Sequence, residues 1–228
     1  MLLFAIDTSG KQGSIALAQV DERSPDPDEV QLIETTPLAG GTFSAQLVPQ
    51  IAALLSAHGF TKHDIDAFAV ASGPGSFTGL RIGLAAVKAL AEVLHKPIAA
   101  VSLLEACVFA SGAQGKIMAV LDAGRTDVYV GEYEIPGDGS PVSRERILSR
   151  SQFLSQAAGW KVVTPDSALA EVANAAGLPA STLPAISASE VARLGWRKIQ
   201  FGQTVAPEQL EANYIRRSDA EILEKIGS

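Results

Sequence analysis

Twice along this chain an apolar run ends on an aspartate, turns through a short polar stretch and returns as an alternating strand. The first copy is FAIDTSGKQGSIALA, beginning at Phe4, and the second is VLDAGRTDVYVGEYE, beginning at Val120. Side chains in a strand alternate faces, so each copy reads as a β-hairpin with its aspartate, Asp7 or Asp122, at the corner. Each copy also opens a block of similar order, which implies two related halves. The expected fold is α/β with two lobes, each a mixed sheet with flanking helices. The division falls at 1–101 and 102–228, the second lobe being more degenerate and its tail packing back on the first.

The remaining elements follow from period and punctuation. Leu2–Asp7, Ser14–Gln19 and Val30–Thr36 are strands, the last after the charged, proline-punctuated loop Asp21–Asp28. Leu47, Val48, Ile51, Leu54 and Leu55 recur at helical spacing from about Thr42 to His58, with Gly59 as the stop and Pro49 removing one backbone bond. A buried strand at Ala67–Ser72 leads to a helix ending near His95, before Pro97. A strand at Ile98–Val101 and a helix at Ser102–Ser111 complete the block. The second block offers strands at Lys116–Asp122, Asp127–Glu134, Arg146–Leu148 and Lys161–Pro165. Its helices start at Ser151, Ser167 and Ser187; Pro136–Ser143 reads as a loop and Gly177–Pro184 as a linker. From Gln200 the tail reads as a loop with a short segment at Ala212–Arg216.

The stretch Ala71–Leu94 is the most specific. An apolar strand stops at Gly-Pro-Gly-Ser-Phe-Thr-Gly and a helix begins at once, with Ser76 or Thr78 as its cap. Free N–H groups and a helix N-terminus converge there, as in a phosphate cradle. The spacing fits neither known cradle: Gly79 is followed by Leu80 and Arg81 rather than Lys-Ser/Thr, and Gly73, Gly75 and Gly79 read G-x-G-x-x-x-G. The other reading is a tight turn built on glycine dihedrals. In the helix that follows, Arg81, Lys88, Glu92 and His95 form a narrow polar stripe, and apolar residues cover most of the circumference. Gly79 and Gly83 make a flat strip for a second backbone. The expectation is a docking face made with the preceding helix, from Phe43, Leu47, Ile51, Gly79, Leu80, Gly83, Leu84 and Val87, unless the chain's own second half covers it.

Charge and composition narrow the function. A net charge of −7 and a pI near 5.0 repel a phosphate backbone, so unaided nucleic-acid binding is not expected. Arg144, Arg146, Arg150, Arg216 and Arg217 are the local basic groups that remain. Apolar runs broken by Lys88, Glu92 and Lys116, and a start MLLFAIDT without a basic region, predict neither membrane span nor export signal. The single cysteine, Cys107, sits in the apolar pattern ACVFA and reads as a buried, inert thiol of a reducing compartment.

Two aspartates at matching strand ends suggest a cleft for a nucleotide and a metal, with Asp7, Thr8, Ser9 and Asp122 as a candidate degenerate nucleotide site. Both corners are poor in glycine, and an aspartate that accepts its own turn's N–H groups explains the same pattern. His58, His63 and His95 lack ligand spacing, so no metal site is expected. Ser72 and Ser76 show no nucleophile elbow and no base nearby in sequence. No catalytic residue is assigned.

FAIDTS, SGPGSFTGLRIGLAAVKAL, VSLLEA, VLDAGRTDVYVGEYE and NYIRRSD together resemble the TsaB (YeaZ) family over nearly the whole chain. The resemblance implies the actin-like, Hsp-seventy and sugar-kinase (ASKHA, RNase H-like) fold. It also implies a non-catalytic cytoplasmic subunit that pairs with TsaD and acts with the ATPase TsaE in threonylcarbamoylation of the adenosine beside the tRNA anticodon. On that reading ATP and metal belong to partner subunits and tRNA is met only through the complex. The docking helices are Phe43–His58 and Thr78–His95; with no partner present, the apolar face read above predicts a homodimer. One departure stands out: the first docking helix commonly opens His-Ser-Glu in the family and opens Phe43-Ser44-Ala45 here, which is expected to expose more apolar surface. The alternatives are an active actin-like ATPase or sugar kinase and, at a further remove, a glycoprotease-type hydrolase.

Overall fold

The computed structural model describes residues 1–24, 29–135 and 142–215. Strands β1 (Leu2–Asp7), β2 (Gly13–Val20), β3 (Val30–Leu38), β4 (Ala67–Gly73) and β5 (Ile98–Ser102) form one sheet in the order β3-β2-β1-β4-β5. Strands β6 (Gly115–Asp122), β7 (Asp127–Ile135), β8 (Val142–Ser149), β9 (Lys161–Thr164) and β10 (Ala180–Thr182) form a second in the order β10-β9-β6-β7-β8. Read from β8, the second order repeats the first strand for strand. Each sheet is a three-stranded antiparallel meander extended by parallel strands. This is the two-lobed actin-like fold.

Parallel strands require crossovers, and helices supply them. Helices α1 (Phe43–Ala57), α2 (Phe77–Leu94) and α3 (Leu103–Ser111) follow β3, β4 and β5; α4 (Arg150–Gln156), α5 (Ser167–Ala175) and α6 (Ala188–Gln200) follow β8, β9 and β10. Side-chain oxygens of Ser76, Ser102, Ser149, Asp166 and Ser187 cap α2 through α6. Thr42 precedes α1 without a side-chain cap bond.

The first sheet is covered on both faces, and its sequence records the difference between them. Phe4, Ile6, Ile15, Leu17, Phe68 and Val70 meet α1 and α2. Ala5, Ala16, Ala18, Ala69 and Ala99 line the other face, and α6 lies on them with Val191, Ala192 and Trp196. The small residues let that helix approach closely: a Cβ on Gly195 would collide with that of Ala69. Burial from both sides is why β1 reads as an unbroken apolar run.

Helices α3 and α6 are exchanged between lobes. Leu104, Cys107 and Val108 of α3 pack on Ile117, Ala119, Tyr129 and Tyr133 of the second sheet, whereas α6 returns to the first. By sheet, the chain therefore divides into 2–102 with 188–200, and 115–182 with α3.

Two local expectations need correction. The strand expected at Arg146–Leu148 extends over Val142–Ser149, because it pairs with β7 from Asp127 to Glu134; residues 136–141 lie outside the described residues. Gly177–Pro184 is not a linker, since Ala180–Thr182 adds β10 parallel to β9. The chain beyond α6 bridges to β5 at Val205, makes a 3₁₀ turn at Pro207–Gln209 and buries Leu210. Arg216 and Arg217 lie outside the described residues.

Candidate functional site

The two hairpin corners face each other across a cleft of about 700 Å³. Ser9, Lys11, Phe43, Ser44 and Ser76–Gly79 form one wall, and Asp122, Ala123, Arg125 and Tyr129 the other. Of the candidate nucleotide residues, Ser9 and Asp122 thus line a common space. Asp7 and Thr8 lie behind Ser9 and are buried.

At the first corner the aspartate is turned inward. The Asp7 carboxylate accepts from the Ser9 N–H at 2.9 Å and from Ser9 Oγ at 2.6 Å. Burial pushes its pKa above the usual carboxylate range, the two Ser9 bonds pull it down, and the charge of Glu190 raises it. This is an aspartate holding its own turn. Thr8 Oγ1 donates to the Gly79 carbonyl at 2.7 Å, which ties the corner to α2.

The glycine turn rests on the same corner. A Cβ on Gly79 would collide with the Thr8 carbonyl oxygen, one on Gly83 with Thr8 Oγ1, and one on Gly75 would lie 2.6 Å from the Ser9 carbonyl oxygen. These glycines admit the end of β1, not the second helix expected from their spacing. Three of the turn's donors are engaged: Ser76 N–H on the Ser9 carbonyl at 2.7 Å, Gly79 N–H on Ser76 Oγ at 3.3 Å and Leu80 N–H on the Ser76 carbonyl at 2.9 Å. A phosphate seeking these three would have to displace the chain's own acceptors.

The second corner is open. Asp122 faces water and pairs with Arg150 at 3.3 Å. Its turn is short, with Ala123 N–H on the Asp127 carbonyl and left-handed dihedrals at Gly124 and Arg125. Asp7 is bound to its own turn and does not line the cleft, whereas Asp122 stands at its rim, so the two carboxylates do not converge on a nucleotide-metal pair.

The other candidates are placed as follows. Ser72 Oγ donates to the Val101 carbonyl within the sheet, and Ser76 is the α2 cap. Cys107 is buried, and burial pushes its thiol up to about 12, which keeps it protonated and unreactive. His58 pairs with Glu34 at 2.8 Å, and His95 ends α2 in a left-handed conformation. No group of three metal-ligating side chains occurs among the described residues. Of the basic residues, Arg146 is paired with Glu132 and Arg150 with Asp122.

The eight residues expected to dock a partner, Phe43, Leu47, Ile51, Gly79, Leu80, Gly83, Leu84 and Val87, are all buried inside the first lobe. They belong to the face that meets the sheet, because an apolar stripe covers its own sheet before anything else. Phe43 is no exposed apolar end either: its ring fills the space left by Gly13. What the sequence pattern missed is the opposite face. α1 carries no charged residue, and Ala45, Val48, Pro49, Ala52 and Ala53 point outward, Val48 at 65% exposure. On the adjacent α2, Ala85, Ala89 and Val93 are also exposed, Val93 at 69%. The signal was available as the absence of charge over Phe43–Ala57.

A family model described as "TsaD: tRNA N6-adenosine threonylcarbamoyltransferase" matches residues 37–184. The "tRNA threonylcarbamoyladenosine biosynthesis protein TsaB" of Bacillus subtilis is 36% identical over 59% of this chain and 56% of its own length, so the match spans little more than half of that relative. The protein of the same description from Escherichia coli is 31% identical over 77% of this chain and 81% of its own length. Among solved structures, "YeaZ from Pseudomonas aeruginosa" superposes with a TM-score of 0.69 and 26% identity, covering 94% of this chain and 100% of its own.

Proposed function

Because the chain belongs to the TsaB (YeaZ) family, we propose that it is a non-catalytic subunit in tRNA threonylcarbamoyladenosine biosynthesis, pairing with a TsaD homologue and working with TsaE. The observation that carries this reading is the outward face of α1 and α2. A surface helix normally turns charges to water; α1 turns alanine, valine and proline outward beside Ser44 and Ser56, with no charge along its length. Such a face gains from being covered, and with no partner present a second copy of the chain covers it. ATP and metal then belong to the partner subunits, and tRNA is met through the complex, in keeping with the net charge of −7. We place the assembly in the cytoplasm; among the described residues no helix is long and apolar enough to cross a membrane. An ATPase or sugar kinase would need phosphate-binding corners, and a hydrolase an activated nucleophile; neither has support in the residues described above.

Co-purification with the host's TsaD homologue, followed by a tRNA modification assay with and without this chain, tests the role. Full modification in its absence overturns it. Val48→Glu and Ala52→Glu change only exposed positions and are expected to leave the melting temperature within a few degrees of wild type while weakening partner capture at least tenfold. Wild-type capture by both variants places the docking face elsewhere.

A further inference from the structure

The chain after α6 is a strap that joins the lobes. The Val205 N–H donates to the Ile98 carbonyl at 2.9 Å, Leu210 is buried in the first lobe's core, and the Asn213 N–H donates to the Ser72 carbonyl at 2.7 Å. Tyr214 then stacks on Phe77, ring centroids 5.0 Å apart and planes within 16°, and accepts from Arg81 Nε at 3.1 Å. Ile215 is half-buried and packs against the core of the second lobe. The groove is fitted to this path: a Cβ on Gly73, whose φ is +124°, would stand 3.1 Å from the Asn213 carbonyl oxygen.

One carboxylate gathers the lobes and the strap. Glu145, on β8 of the second lobe, accepts hydrogen bonds from Ser102 Oγ of the first lobe, Tyr133 Oη of its own sheet and Asn213 Nδ2 of the strap. Losing this acceptor leaves three donors unpaired at a half-buried junction. The strap itself is only lightly packed. Tyr214 is 44% exposed, and apart from Leu210 its side chains are partly or fully open to solvent, so it can open locally without global unfolding.

We propose that Glu145 and the Leu210–Ile215 strap form a latch that fixes the two lobes relative to each other and orders the first turn of α2. When the latch is broken, the strap lifts from Phe77 and Arg81 and the cleft between the corners widens. The latch is a conformational device of the isolated chain and does not depend on which partner the outer helix face meets.

The test uses spin labels at Lys62→Cys in the first lobe and Glu171→Cys in the second, both exposed, with Cys107 buried and out of reach of the label. The expected result is one narrow inter-label distance in the otherwise native chain. Asn213→Ala is expected to add a longer-distance population and to raise amide exchange over 210–215 at least tenfold, with exchange in β1 unchanged. Glu145→Ala is expected to do the same to a greater extent. Asn213→Ala decides the matter alone should Glu145→Ala fail to fold: native distances and native strap exchange in that variant overturn the proposal, as does a uniform rise in exchange that includes β1.

Discussion

Asp7 and Asp122 end equivalent strands of two sheets with one strand order, yet Asp7 is 5% exposed and bound to Ser9, while the Asp122 side chain is 46% exposed and pairs with Arg150. The difference arises at the next strand-to-helix junction, not at the hairpins. From the β4–α2 turn into α2 the chain places Gly75, Gly79 and Gly83 against Thr8 and Ser9, so helix and corner close on each other. Between β9 and α5 it runs Thr164-Pro165-Asp166-Ser167 without glycine, and Asp166 caps its own helix through Ala168 and Leu169. Equal topology has thus been used in two ways: one corner is a packed joint, the other a solvated rim of the cleft. A rigid joint suits the proposed docking role, because α2 carries both the inward core stripe and outward Ala85, Ala89 and Val93.

The sharpest test of this contrast compares glycines. Gly79→Ala puts a methyl group onto the Thr8 carbonyl oxygen, and since both are backbone-anchored the cost is expected to be about 3 kcal/mol or more. Gly124→Ala, at the other corner, meets nothing within 4 Å and is strained only by its φ of +78°, at about 1 kcal/mol. Urea denaturation of the two variants measures both. Equal losses would mean that the first corner is not held by contact. Gly83→Leu belongs with Gly79→Ala: it is expected to unfold the lobe and not merely to release a partner, because Thr8 Oγ1 occupies the space.

The aspartates also differ in how pH should act on them. Burial raises the Asp7 pKa above its ordinary 3.8, against the pull of the Ser9 bonds. The folded state therefore holds this proton more tightly than the unfolded state. As pH climbs from about 3.8, unfolded chains ionise first, and stability falls until the folded carboxyl has ionised too. Asp7→Asn keeps an oxygen for the Ser9 donors and removes the ionisation. It is expected to gain on wild type as pH rises through that window, in melting temperatures taken from pH 4 to 7. A wild-type-minus-variant difference that stays constant with pH counts against the buried carboxyl; Asp122→Asn is the control at the open corner.

Much of this was legible in the residues because it is local. The hairpins, the helix starts at Ser76 and Ser187 and the apolar runs of β1 and β4 are set by neighbours a few positions apart. β10 was not legible, since three residues cannot display a period. The role of Gly79 and Gly83 was misread for a different reason. A pattern of small residues says that something approaches closely, but not whether it is a partner's helix or, as here, the chain's own Thr8, some seventy residues upstream. The docking stripe failed likewise: periodicity found the apolar face of each helix, and that face went to the sheet. Glu145 left no local trace at all, because its donors lie 43 and 68 positions away and within a neighbouring strand.

The smallest expected effect closes the comparison from the open side. Asp122 and Arg150 are both about half exposed and 3.3 Å apart, a geometry in which solvent screens the attraction and two side chains lose rotamer freedom to meet. A double-mutant cycle with Asp122→Ala and Arg150→Ala is expected to return a coupling below about 1 kcal/mol that shrinks further with added salt. The backbone of this corner keeps its shape without the pair, because Arg150 N–H still reaches the Thr126 carbonyl at 2.8 Å and Ala123 still pairs with Asp127. A coupling well above that bound would mean that the second corner is also built on its aspartate, and that glycine content at the following junction is not what separates the two lobes.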